Sequence, residues 1–237
     1  MSAHPKSSPP AAEKFPALEN DSRRVDSRDG LSFALSALTQ VLRIEDTMTR
    51  ILVVYGTTDG HTTKIAAAIA DTLRTAGAAV DLQEIGRTAC RPDGYDGVIV
   101  ASPVRGGKYL KPVRRWVRAH AAVLNTRTTG FVSVCLGILQ HDPAVDRALH
   151  AILSGFLAET GWRPSVTKPV AGALPYTRYN WFIRRVMKRI AAKAGGDTDT
   201  TRDYEYTDWA DVRDFAAEFG RLAGQLTRTH APAAVPA

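Results

Sequence analysis

The chain predicts a three-layer α/β fold: a five-stranded parallel sheet, helices on both faces, and a helical insertion after the last strand. Three observations carry this. Apolar runs of strand length alternate with stretches of helical period between residues 51 and 227. The runs at 51–55, 96–101 and 129–135 are nearly all apolar, as strands covered on both faces must be. The run Ile51-Leu52-Val53-Val54-Tyr55 stops at Gly56-Thr57-Thr58-Asp59-Gly60-His61-Thr62-Thr63, and an apolar-periodic segment starts at once. A strand, a hydroxyl-rich loop and a helix start bring backbone N–H groups, Thr hydroxyls and the positive end of a helix dipole to one point. That point favours a phosphate.

In order, the elements are a strand at 51–55, a helix at 61–76, strands at 79–85 and 96–101, and a helix at 110–121. A strand at 129–135, a helix at 143–160, a strand at 166–173 and a helix at 207–227 complete the set. Loops after the first, third and fourth strands then meet at the carboxyl edge of the sheet, where open α/β folds bind ligands. Residues 174–206 break the alternation and read as an insertion. Residues 1–30, rich in Pro, Ser, Ala and charge, are expected to be disordered. A short helix is expected at 31–44, with Leu31, Leu35, Leu38 and Leu42 on one face. Met48 sits just before the first strand and offers a natural start, which makes 1–47 an extension, 48–228 the domain, and 229–237 a frayed tail.

Composition narrows the class. At 44% hydrophobic and 23% charged residues, the chain suits a soluble globular protein. A net charge of +7 points to an anionic partner: nucleic acid, anionic lipid or an acidic substrate. Cys90 and Cys135 lack C-x-x-C spacing and metal-ligand neighbours, so two free thiols in a reducing compartment are expected, with no metal site. No run reaches the roughly 18 apolar residues of a spanning helix, and no secretory signal is visible.

The first loop resembles the phosphate loop of flavodoxins through Thr57, Gly60 and Thr62; Asp59 and His61 depart from the usual pattern. The segments 172–181 (Gly-Ala-Leu-Pro-Tyr-Thr-Arg-Tyr-Asn-Trp), 195–200 (Gly-Gly-Asp-Thr-Asp-Thr) and 206–209 (Tyr-Thr-Asp-Trp) are similar to those of the menaquinone-dependent protoporphyrinogen oxidases. These are flavodoxin-fold proteins with an insertion near the C-terminus, and an Asp-Gly pair in the first loop fits that subfamily. The resemblance spans about 50–220. It implies a flavodoxin-like sandwich of strand order 2-1-3-4-5, an FMN cofactor (with a deazaflavin not excluded), a porphyrinogen substrate and a quinone acceptor.

On that resemblance Thr57, Thr58, Asp59, Gly60, His61 and Thr62 surround the phosphate. Ordinary helix capping is the alternative reading of Thr62 and Thr63, and His61 reads as a backbone donor or a solvent-facing residue rather than a base. The second loop, Ser102, Pro103, Val104, Arg105, Gly106, Gly107, Lys108 and Tyr109, would embrace the flavin ring. Its paired glycines let the backbone lie along the ring edge, Arg105 or Lys108 would stabilise an anionic reduced ring, and Tyr109 would stack or pack on the sheet. The third loop, Ser133, Val134, Cys135, Leu136 and Gly137, would line the pyrimidine end, with Cys135 a small wall residue. No His/Asp/Ser constellation demands a catalytic side chain, and none is named.

The insertion carries the charge. Phe182, Ile183, Val186, Met187 and Ile190 recur at helical spacing, with Arg184, Arg185, Lys188 and Arg189 between them. A basic amphipathic helix of this kind lies on anionic membranes, or else packs on its own protein with its charges in water. Tyr176, Arg178, Tyr179 and Trp181, with those four cations, are the candidate substrate or membrane contacts. A peripheral enzyme on the cytoplasmic face of the cell membrane is the leading expectation, with self-association possible. A flavodoxin-like electron carrier and an FMN quinone reductase are the alternatives. Nucleic-acid binding is not needed to explain the charge.

Overall fold

The strand-loop-helix alternation is realised in a computed structural model, which describes residues 48–87, 89–178, 181–193 and 197–230. The expected extension and its helix at 31–44, residues 231–237 of the tail, and Tyr179 lie outside the described residues. The elements are β1 (Arg50–Tyr55), α1 (His61–Thr75), β2 (Ala79–Glu84), β3 (Gly97–Arg105), β4 (Lys108–Tyr109), α2 (Lys111–Leu124) and β5 (Thr128–Val134). After a 3₁₀ turn at Leu136–Gln140 come α3 (Pro143–Thr160), β6 (Val166–Val170), β7 (Ala173–Leu174), α4 (Trp181–Lys193), β8 (Tyr204–Glu205) and α5 (Trp209–His230). The parallel strands run β2-β1-β3-β5-β6, which is the expected order 2-1-3-4-5 once the short antiparallel β4 is set aside.

Alternation along the strands makes two cores. Ile51, Val53 and Tyr55 face Ile65, Ile69 and Leu73 of α1, and Phe215 and Phe219 of α5. Leu52 and Val54 face Val113, Trp116 and Val117 of α2, with Phe156 of α3 and Trp162. Each fully buried side chain of this size contributes about 1.5–3 kcal/mol. The α5 layer sits very close to the sheet: a Cβ on Gly97 would stand 3.0 Å from the Phe219 ring, and one on Gly130 3.2 Å.

Local chemistry sets the helix ends. The Asp142 carboxylate accepts the Ala144 N–H at 2.7 Å, Pro143 opens α3, and Gly161 at φ 69° closes it. Asp208 accepts the N–H groups of Ala210 and Asp211 at the start of α5. Trp162, just past α3, is 1% exposed and donates its indole N–H to Thr129 Oγ1 at 3.1 Å.

Two expected boundaries are corrected. The strand at 96–101 runs on to Arg105, because Gly106 and Gly107, both at positive φ, fold Lys108–Tyr109 back onto Val104–Arg105. A two-residue turn with both φ values positive is the turn that twisted antiparallel strands favour. The expected strand at 166–173 breaks after Val170, where its partner β5 ends at Val134. Ala173 and Leu174 pair instead with Glu205 and Tyr204, a two-stranded sheet that closes the base of the insertion.

Candidate functional site

Parallel strands bring their following loops to one edge, and hydrogen bonds tie those loops together there. Gly56 N–H donates to the Ala101 carbonyl at 3.0 Å, and Cys135 N–H to the Val170 carbonyl at 3.0 Å. In the first loop Gly60 holds φ 85°, the left-handed region that disfavours a side chain, and its N–H donates to Thr57 Oγ1 at 2.9 Å. The N-cap of α1 is Gly60, which has no side chain to cap it. A helix start of this kind offers N–H groups to a ligand or solvent. Thr57 and Thr58 flank this point and Thr62 is buried beneath it. Gly56 makes room: a Cβ there would stand 2.6 Å from Val113 Cγ2.

Asp59, the residue that departs from the flavodoxin pattern, has a basic partner. Its Oδ2 accepts from Arg105 Nη1 at 2.8 Å, so the first loop is bridged to the β3–β4 hairpin. Each partner stands directly before a glycine of positive φ. Pro103 and Val104 are half-buried, while Gly106, Gly107 and Lys108 are exposed. Ser102 is fully buried and accepts weakly from Leu110 N–H at 3.4 Å.

His61 is corrected. Its backbone opens α1 as expected, but its side chain is only 11% exposed rather than solvent-facing. Thr207 donates its hydroxyl to the Ala171 carbonyl at 2.7 Å, so His61 Nε2–H donates to Thr207 Oγ1 at 2.7 Å. Nδ1 lies 3.6 Å from Glu205 Oε2, and Lys64 reaches the same oxygen at 3.0 Å. Burial holds the imidazole below its ordinary pKa, against the pull of Glu205; Lys64 adds to the lowering. Thr207 and Glu205 lie at the exit of the insertion and carry no sequence signal of this role.

For Tyr109 the structure takes the second of the two expected alternatives, packing on the sheet. At 4% exposure its ring packs edge-on to Phe131 and tilted against Phe156, each at 4.9 Å, and its hydroxyl pairs with Ser133 Oγ at 2.8 Å. That ring belongs to the core and is not presented for stacking. Burial raises its pKa. In the third loop Val134 is buried, and Cys135 and Leu136 are half-buried. Cys135 Sγ accepts from Gly137 N–H at 3.3 Å; burial pushes the thiol up, more than that bond lowers it, so it stays protonated at neutral pH. Among the described residues no cluster of His, Cys, Asp and Glu could hold a metal ion.

In the insertion Tyr176 is fully buried and donates to the Asp197 carbonyl at 2.9 Å, with Leu174 and Ala191 beside it. It supports the insertion from within and cannot touch a membrane, which overturns that expectation. Tyr206 donates to Asp197 Oδ2 at 2.7 Å; burial and that carboxylate push its pKa up to about 12. Trp181 is 77% exposed; Arg185, Lys188 and Arg189 are exposed and Arg184 is half-buried. Tyr179 and the side chains of Arg178, Phe182, Ile183, Val186, Met187 and Ile190 lie outside the described residues. No helix among the described residues is long and apolar enough to cross a membrane.

The 2-1-3-4-5 sheet is that of a flavodoxin-fold, flavin-binding protein, and the flavodoxin domain model matches residues 52–201. The chain is 33% identical over 180 residues to the protoporphyrinogen IX dehydrogenase [quinone] of Escherichia coli K12, covering 75% of this chain and 98% of that one. It is likewise 33% identical over 177 residues to the protein of the same name from Leishmania major, covering 73% and 75%. It belongs to the quinone-dependent protoporphyrinogen IX dehydrogenase family. Among solved structures, oxidised flavodoxin 1 from Bacillus cereus superposes at a TM-score of 0.46 with 17% identity, over 73% of this chain and 98% of that one.

Proposed function

We propose that this protein binds FMN and oxidises protoporphyrinogen IX to protoporphyrin IX, passing the electrons to a quinone at the cytoplasmic surface of the cell membrane. The observation that carries the reading is the 33% identity to the Escherichia coli enzyme, which extends over 98% of that enzyme. The donor set at the start of α1 supports FMN in particular. Thr hydroxyls and the N–H groups of a helix start suit one terminal phosphate, and Gly60 allows close backbone approach.

Bound flavin supplies two-electron redox chemistry, and oxidising the substrate removes six electrons and six protons, so three quinones become three quinols per porphyrin. The protein's own part is binding and positioning. Thr57, Thr58 and Thr62 would hold the phosphate end. The 102–109 hairpin would cover the flavin ring. Cys135, as a neutral thiol, adds no charge at the pyrimidine end. The cations of α4 attract an anionic bilayer, about 1 kcal/mol for each one near the surface, and so bring the site to where a lipid-soluble quinone is dissolved.

The test is a spectrum followed by an anaerobic assay. Purified protein should show bound FMN and should form fluorescent protoporphyrin from protoporphyrinogen only when a naphthoquinone or benzoquinone is added, at three quinones per porphyrin. Flavin-loaded protein that oxidises no porphyrinogen with any quinone would overturn the proposal; a deazaflavin spectrum would replace the cofactor.

A further inference from the structure

The first loop gathers neutral donors for an anion and yet contains a carboxylate. Asp59 sits beside Gly60, between the Thr57–Thr58 pair and the N-terminus of α1. An uncompensated negative charge there would oppose a phosphate across a few ångströms. Arg105 meets that carboxylate at 2.8 Å from the tip of the neighbouring hairpin, 46 residues away in sequence. The side chains are 43% and 28% exposed, Arg105 and Asp59 in turn, so solvent screens the pair only in part. Two left-handed glycines aim the partners at each other: Gly60 follows Asp59, and Gly106, at φ 55°, follows Arg105.

We propose that Arg105 is a positioning residue for the cofactor's phosphate, acting through Asp59: by neutralising and fixing that carboxylate it makes a loop containing an acid competent to bind an anion. The proposal rests on the FMN reading. It predicts a pattern of signs that a simple surface ion pair does not produce. Arg105→Gln removes the cation that Asp59 meets at 2.8 Å and weakens FMN binding by about tenfold, the order of one charge interaction near a surface. Asp59→Asn removes the repulsion at its source, so its FMN affinity equals or exceeds the wild type. The double variant regains wild-type affinity to within about threefold, because Arg105 has nothing left to neutralise.

The experiment titrates FMN, and in parallel riboflavin, into flavin-stripped full-length protein and its three variants, reading flavin fluorescence at low and at high salt. Riboflavin lacks the phosphate, so its affinity should be the same in all four proteins, and the Arg105→Gln loss for FMN should shrink as salt rises. An equal loss for riboflavin would mean that Arg105 only packs the hairpin, and would overturn the proposal. So would a loss that persists in the double variant, which would mark Arg105 as a direct phosphate ligand, or an Arg105→Gln protein that binds FMN like the wild type. Wild-type protein that binds no FMN at all would overturn the cofactor reading and this proposal with it, an outcome distinct from a wild type that binds FMN with a flat variant pattern.

Discussion

His61 Nε2 stands 2.7 Å from Thr207 Oγ1, so the first turn of the cofactor-loop helix is bonded to the residue that leads out of the insertion, 146 positions along the chain. Thr207 passes the connection on to the Ala171 carbonyl at the end of β6. The insertion is thereby fastened to the cofactor loop as well as to its own two-stranded sheet. Replacing Thr207 with Val keeps the shape and removes the hydroxyl, leaving the His61 N–H and the Ala171 carbonyl without this partner. A loss of about 1–3 kcal/mol in urea unfolding is expected, with an unchanged denaturant slope.

The same histidine gives stability a pH dependence of known sign. Burial holds its folded-state pKa below the ordinary 6.5, so on acidification the unfolded chain takes up the proton first. The contribution is whole above pH 6.5 and is lost as pH falls through the lowered folded-state value. Urea unfolding between pH 5 and 8 should show this decline, and His61→Gln should flatten it. An unchanged slope in that variant would assign the decline to other groups.

Tyr176 separates support from contact. Tyr176→Phe removes the hydrogen bond to the Asp197 carbonyl and should cost about 1 kcal/mol. Tyr176→Ala also opens a cavity at a fully buried position and should cost about 3–5 kcal/mol. Proteolysis should then cut the insertion first, while FMN affinity stays close to that of the wild type.

The exposed cations of α4 make the surface prediction. Changing Arg185, Lys188 and Arg189 together to Gln should lower binding to vesicles containing anionic phospholipid by about two orders of magnitude, at roughly 1 kcal/mol per charge. Sedimentation with vesicles measures it. Turnover with a water-soluble quinone should change far less than turnover with a quinone held in those vesicles.

Much of this was legible in order along the chain, because periodicity is local. The run at 51–55 read as a strand covered on both faces, and the helix expected at 143–160 is α3 with the same bounds. The hairpin at Gly106–Gly107 was less legible: Ser102 and Pro103 read as the start of a loop, and the continuing ladder depends on the chain folding back on itself.

The sequence alone determined the strand-helix alternation, the hydroxyl-rich loop before α1 and the basic character of the insertion, since each follows from neighbours within a few residues. Only the tertiary structure decided which polar groups meet. Asp59 with Arg105, His61 with Thr207, and Tyr109 with Ser133 are each more than 20 residues apart. The parallel sheet brings its loops to one edge, and there burial and distance, rather than residue type, set Tyr109 and Tyr176 in the core and leave Trp181 in solvent.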